Sequence, residues 1–155
     1  MHRFLLALLL SLILLTTGCD RSSPVMPSGK VVKIGFLGPR HGSDQGQDTL
    51  EGVLAGQAIL PLLKNGDRVE VIAGDSGNDP AAIRRAMQKL VEEDGVSLLL
   101  LGLDSQSLMP VTQFVDSLKT SAIALIATYP DIVSGSVYIN QLCFDDDTQG
   151  AVAAL

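Results

Sequence analysis

The pattern of hydrophobic and polar positions divides the chain into an apolar leader, a polar tether and a long alternation of strands and helices. Phe4 to Leu15 is an almost unbroken apolar run. It falls short of the ~18–20 residues that cross a bilayer as a helix, so it reads as the core of a signal peptide over residues 1–18. Residues 19–29 follow as a tether, whose stretch RSSPVMPSG has no periodicity and is rich in Pro, Ser and Gly. Lys30 to Leu37 alternates and is rich in branched residues, which predicts a first strand. The segment GPRHGSDQGQ after it offers nothing apolar to bury and reads as a loop. Thr49 to Lys64 then carries Leu50, Val53, Leu54, Ala58, Ile59, Leu62 and Leu63 at helical spacing, with Pro61 set to kink or shorten the last turn. Asn65-Gly66-Asp67 is a turn, and Arg68 to Ala73 alternates as a second strand.

The next helix is the most fully signalled. Asp79 can cap it, Pro80 suits the first helical position, Ile83, Ala86, Met87, Leu90 and Val91 share a face, and Gly95 closes it. Val96 to Leu101 is an apolar run too short for a buried helix, and it predicts a buried parallel strand. Gly102 breaks the run, and small polar residues follow. A third helix carries Val111, Phe114, Val115 and Leu118. Its start has two readings, a cap at Ser107 with Pro110 at the third position, or a cap at Ser105 with a distorted first turn. Ala122 to Ala127 is a fourth strand, Val137 to Leu142 a shorter edge strand, and Asp145 to Leu155 the start of another helix. Strand and helix alternate throughout, so the fold class is α/β: a doubly wound parallel sheet with helices on both faces. In the strand order 2-1-3-4-5, the switch point lies between the first and third strands. The loops leaving those strands, Arg40–Gln47 and Gly102–Ser107, are the segments richest in small polar residues, and ligands bind at such a place.

Composition narrows the function. The chain of 155 residues has a formal charge of −6, and Arg3 is the only Lys or Arg of the leader. No basic cluster offsets the acidity, so a nucleic-acid partner is not expected. No catalytic set and no cofactor site is legible. Gly35-x-x-Gly38 is not a dinucleotide fingerprint, a P-loop is absent, and GDSGN around Ser76 lacks the second glycine of a nucleophile elbow. His41 has no neighbour at metal-ligand spacing, and turn and cap chemistry accounts for Asp75 and Asp79, so no metal site is expected. Arg84-Arg85 reads as a solvated helix face. Cys19 and Cys143 stand in contexts too different to suggest a pair.

The leader ends in TTGC, which resembles the bacterial lipobox, with Thr16 where Leu is usual. That resemblance implies lipidation at Cys19 and attachment to a membrane through the lipid. Asp20 resembles the signal for retention at the inner membrane, which implies a location on its periplasmic face.

KIGFLGPRHGSDQGQ, GDSGNDPAAIRRAMQKLVEEDGVSLLLLGLDSQSLMPV, ATYPDI and CFDDDTQGAVAAL, in that order, resemble the type I periplasmic solute-binding proteins, and within them the branched-chain amino acid (Leu/Ile/Val) group. The resemblance runs from about Val31 to the end and implies a flavodoxin-like N-terminal lobe over residues 30–155. Members of the family have two lobes that close on a solute and then dock on the membrane subunits of an ABC importer. With GAVAAL stopping in the first turns of a helix, the chain is expected to be an incomplete copy without the second lobe, and half a cleft to bind weakly or not at all. The resemblance implies that the turn Leu103 to Ser107 receives the α-carboxylate of an amino acid, with Ser105 as hydroxyl donor and Gln106 and Ser107 beside it. It implies that Ala127 and Thr128 accept from the ammonium, and that Arg40–Gln45 lies on the same rim. Helix capping alone also explains Ser105 and Ser107, and strand termination explains Thr128. Tyr129 replaces a small amide residue, and Asp104 replaces a cysteine found in some members, which leaves Cys143 unpaired. Asp104 disfavours an anionic ligand if it points inward. The leading expectation is a membrane-tethered receptor for a small solute, with no enzymatic activity. The alternative is a sensor or adaptor lipoprotein whose lobe contacts another protein.

Overall fold

Five short strands pair side by side in parallel, in the order β2-β1-β3-β4-β5, as the alternation predicts. They are β1 (Val31–Gly38), β2 (Arg68–Asp75), β3 (Leu98–Leu101), β4 (Ala122–Ala124) and β5 (Ile139–Gln141). The computed structural model describes residues 25–41, 44–77 and 79–155. The leader, Cys19 and Asp20 lie outside the described residues. Between the strands run α1 (Asp44–Ile59), α2 (Pro80–Gln88), α3 (Ser105–Leu108) and α4 (Thr112–Ser117), and α5 (Asp146–Ala153) follows β5.

Leu99 and Leu101 of β3 are fully buried, with Ala122 and Ala124 of β4 beside them. The helical segments from Pro80 to Glu93 and from Ser105 to Ser117 cover that face through Ile83, Met87, Leu90, Leu108, Val111 and Val115. Each large aliphatic side chain fully buried there contributes about 1.5–3 kcal/mol. Arg84 is more than a solvated residue. Its guanidinium donates to the Pro110 carbonyl at 2.9 Å and lies 6.0 Å from the Phe114 ring centroid, tying α2 to the segment that follows β3.

Asp79 caps α2 as expected, accepting from the Ala81 and Ala82 amides at 2.9 Å each, with Pro80 in the first turn. The helix continues through a wider π turn at Lys89–Glu93 and ends before Gly95, whose φ of 71° suits glycine.

Three expectations are corrected. α1 begins at Asp44, within the stretch read as loop, because its polar first turn carries no apolar periodicity to reveal it. It ends at Ile59, since Pro61 disfavours helical backbone at Leu60; Leu62 pairs with Arg68 instead of continuing the helix. The segment after β3 is capped by neither serine. Asp104 is the cap, its carboxylate accepting from the Ser107 amide at 2.8 Å. Pro110 falls in a 3-10 turn, Met109–Val111, that separates α3 from α4, so the distortion expected of a helix starting near Ser105 is present. The break at Gly102 also has a physical cause. A Cβ there would lie 2.8 Å from the buried Phe36 ring, so any other residue would force that ring to shift.

Candidate functional site

The carboxyl ends of β1, β2 and β3 stop at one level. The Gly102 amide donates to Leu37 O at 2.8 Å, and the Ser76 amide donates to Gly38 O at 3.1 Å. The loops leaving these strands enclose a polar cleft of about 220 Å³. Its walls are His41 and Gln45 from the β1 side, Ser76 and Gly77 from the end of β2, and Asp104 and Ser107 from the end of β3. Gly46 packs so closely under the loop that a Cβ would lie 2.2 Å from Pro39 O. The start of α1 is thereby held against the mouth of the cleft.

Asp75 anchors the β1 side. Its carboxylate accepts from the Gly77 amide at 3.1 Å and from the Arg40 amide at 3.3 Å, with the exposed His41 ring 3.9 Å away. Those bonds, Gly77 foremost, hold its carboxyl below the usual carboxylate range.

The second turn, after β4, is joined to the first by one atom. Ser105 Oγ accepts from the Thr128 and Tyr129 amides at 3.1 Å each. With both lone pairs engaged, its single O–H is left to donate. The Thr128 carbonyl accepts from the Asp146 amide at 2.9 Å. Ala127 is buried, and its carbonyl already accepts from Gln141 Nε2 at 2.7 Å and from the Cys143 thiol at 3.0 Å. That carbonyl serves to brace the turn internally.

Of the five expected ligand-facing residues, Ser107 lines the cleft and Ser105 stitches the two turns together, while Gln106 is exposed on the first turn of α3. Ala127 and Thr128 stand behind this junction, and Ile126 reaches the cleft beside them. Ser76, Gly77 and Ile126 are among the wall residues that escaped the sequence reading. Ser76 follows an edge strand whose alternation gives no hint of a site, and only the pairing of Gly38 with Asp75 brings it to the switch point. Gly77, with φ 62°, follows it into the wall.

A parallel-sheet lobe with a polar cleft where the strand order reverses is the architecture of a small-ligand binder. The chain belongs to the periplasmic binding protein family, whose profile matches residues 31–154. This is a family of solute-binding proteins. Among solved structures, a leucine-binding protein from Thermotoga maritima superposes with a TM-score of 0.71 at 22% identity, covering 79% of this chain and 35% of that one. A branched-chain amino acid transporter substrate-binding protein from Streptococcus pneumoniae, solved with isoleucine, gives 0.67 at 21% identity, covering 76% and 35%. A solute-binding protein of an ABC transporter from Rhodopseudomonas palustris, solved with 4-hydroxybenzoate, gives 0.67 at 24% identity, covering 75% and 32%. The chain thus spans about a third of the length of these structures. No curated protein matches it by sequence.

Proposed function

We propose that this chain is an extracytoplasmic receptor lobe of an ABC importer, that its solute is an amino acid of the branched-chain class, and that a lipid on Cys19 holds it at the periplasmic face of the inner membrane. The observation that carries the solute-binding reading is the polar cleft between the loops leaving β1 and β3, walled by Asp104 and Ser107 on one side and by His41 and Gln45 on the other. Ser107 belongs to the wall, Ser105, Ala127 and Thr128 to the bracing behind it, and Gln106 is exposed beside them. Ser105 is the hydroxyl donor nearest the junction of the two turns.

Saturation-transfer NMR with a panel of amino acids and aromatic acids tests this reading. Transfer to leucine, isoleucine or valine above that to the other amino acids is expected. Equal transfer to all of them contradicts the branched-chain assignment. Membrane fractionation tests the anchor: Cys19→Ser is expected to release the protein, and continued attachment contradicts lipidation there. The adaptor reading is favoured by a separate observation, the apolar strip on and before α5, where Phe144 is 77% and Val152 66% exposed. It gains if the folded chain shows no solute contact at all.

A further inference from the structure

The charge inside the cleft is uneven. Ser76 is 1% exposed and its hydroxyl donates to the Gly77 carbonyl at 3.1 Å, so it contributes no charge. Ser107 is neutral as well. Asp104 brings a carboxylate to the wall, and one of its oxygens takes the Ser107 amide at 2.8 Å. Its other oxygen has no hydrogen-bond partner among the described residues. Nor does any Lys, Arg or His lie within 4.0 Å of it; the ion pairs among the described residues are His41–Asp75 and Lys89–Asp94. On the facing loop, the Arg40 backbone amide and the His41 ring both meet Asp75. A ligand carboxylate arriving at this wall would therefore meet a carboxylate that has no ion-pair partner among the described residues, and would find the Ser107 amide already occupied by it.

We propose that Asp104 sets the charge preference of the cleft: the end of the solute docked against it carries a cation, a primary ammonium, and not a carboxylate. The inference rests on the solute-binding reading and names the charge of the group that the same cleft accepts. It reverses the orientation that family resemblance implies for this turn, in which a carboxylate faces Ser105. An amino acid enters with its ammonium toward Asp104, and a diamine satisfies the wall without any anionic end.

The test follows cleft amide chemical shifts of the full chain during titration with 1,4-diaminobutane, leucine and benzoate at fixed ionic strength. It compares the wild type with Asp104→Asn and with Glu93→Gln, a charge change far from the cleft. Asn retains an oxygen for the Ser107 amide and caps as well as Asp, so the fold is kept while the charge is removed. The wild type is expected to bind the diamine most tightly and benzoate least. Asp104→Asn is expected to weaken the diamine by about tenfold and to strengthen benzoate, as loss of one charge at contact range in a partly hydrated site implies. Glu93→Gln is expected to leave the ratio of the two unchanged. Benzoate binding the wild type as tightly as the diamine, or a ratio unaltered by Asp104→Asn, overturns the charge preference and leaves the solute-binding reading standing. Absence of any cleft shift with all three ligands in every variant overturns the solute-binding reading, and the inference with it.

Discussion

Ser105→Ala removes the single oxygen that joins the two turns at the end of the sheet. In the wild type, Ser105 Oγ accepts from the Thr128 amide, which is partly buried, and from the Tyr129 amide, which is exposed, at 3.1 Å each. A hydrogen bond within a protein is worth about 0.5–1.5 kcal/mol net, and a buried donor left unpaired costs about 1–3 kcal/mol. Water can reach Tyr129 N once the hydroxyl is gone, whereas Thr128 N is only partly accessible. The expected loss is therefore about 1–2 kcal/mol, most of it at Thr128. For a protein of this size, that moves the urea midpoint down by roughly 0.5–1 M with the slope unchanged. Hydrogen exchange gives the local readout: the Thr128 amide loses protection while amides in β3 keep theirs. Ser105→Thr retains the oxygen and is expected to keep most of both effects. A Ser105→Ala protein with the wild-type midpoint and a protected Thr128 amide would refute the claim that this hydroxyl couples the turns.

Other consequences follow from caps, packing and titration. Asp79→Ala removes the acceptor for two amides at the start of α2 and is expected to cost about 1–2 kcal/mol in urea unfolding; no change contradicts the capping role. Met87→Ala empties a fully buried position between α2 and the sheet, and a loss of about 2–5 kcal/mol is expected by the same assay. The Asp75 carboxyl is held below its ordinary value of 3.8 by the Gly77 and Arg40 amides. Because the folded value is the depressed one, its contribution to stability is complete above the unfolded value and is lost as pH falls through the folded one. A carbon-13 titration of the Asp75 side chain should give a midpoint below 3.8, with the Gly77 amide shift following it; a midpoint at or above 3.8 contradicts the geometry.

The sheet was legible because its strands are apolar in a way that helices of that length are not. Val96 to Leu101, caught between Gly95 and Gly102, has the length and burial pattern of a buried strand, and the structure pairs Leu98–Leu101 with β1 and Leu99–Leu101 with β4. The Asp79-Pro80 start of α2 was equally plain, because capping chemistry is local. The start of α1 was hidden, since Asp44, Gln45 and Gly46 make a polar first turn whose placement depends on the tertiary fit of Gly46 under Pro39. The cap at Asp104 was missed because three residues within one turn, Asp104, Ser105 and Ser107, can all cap, and spacing alone does not rank them. Tertiary structure separates them: Asp104 caps, Ser105 reaches across to the next turn, and Ser107 faces the cleft. The expected role of the Ala127 carbonyl met the same limit. Gln141 and Cys143, which take it up, come from the edge strand and the residues just beyond it, and nothing local to Ala127 announces them.

Solute is expected to contact the cleft at the switch point between β1 and β3. A map of backbone amide shifts on adding leucine at millimolar concentration tests it most directly. Changes are expected to concentrate at Gln45, Ser76, Gly77 and Asp104 to Ser107, with smaller changes at Thr128 and Tyr129 transmitted through Ser105. Changes confined to α5 and Phe144, or no change anywhere in the folded chain, would contradict it.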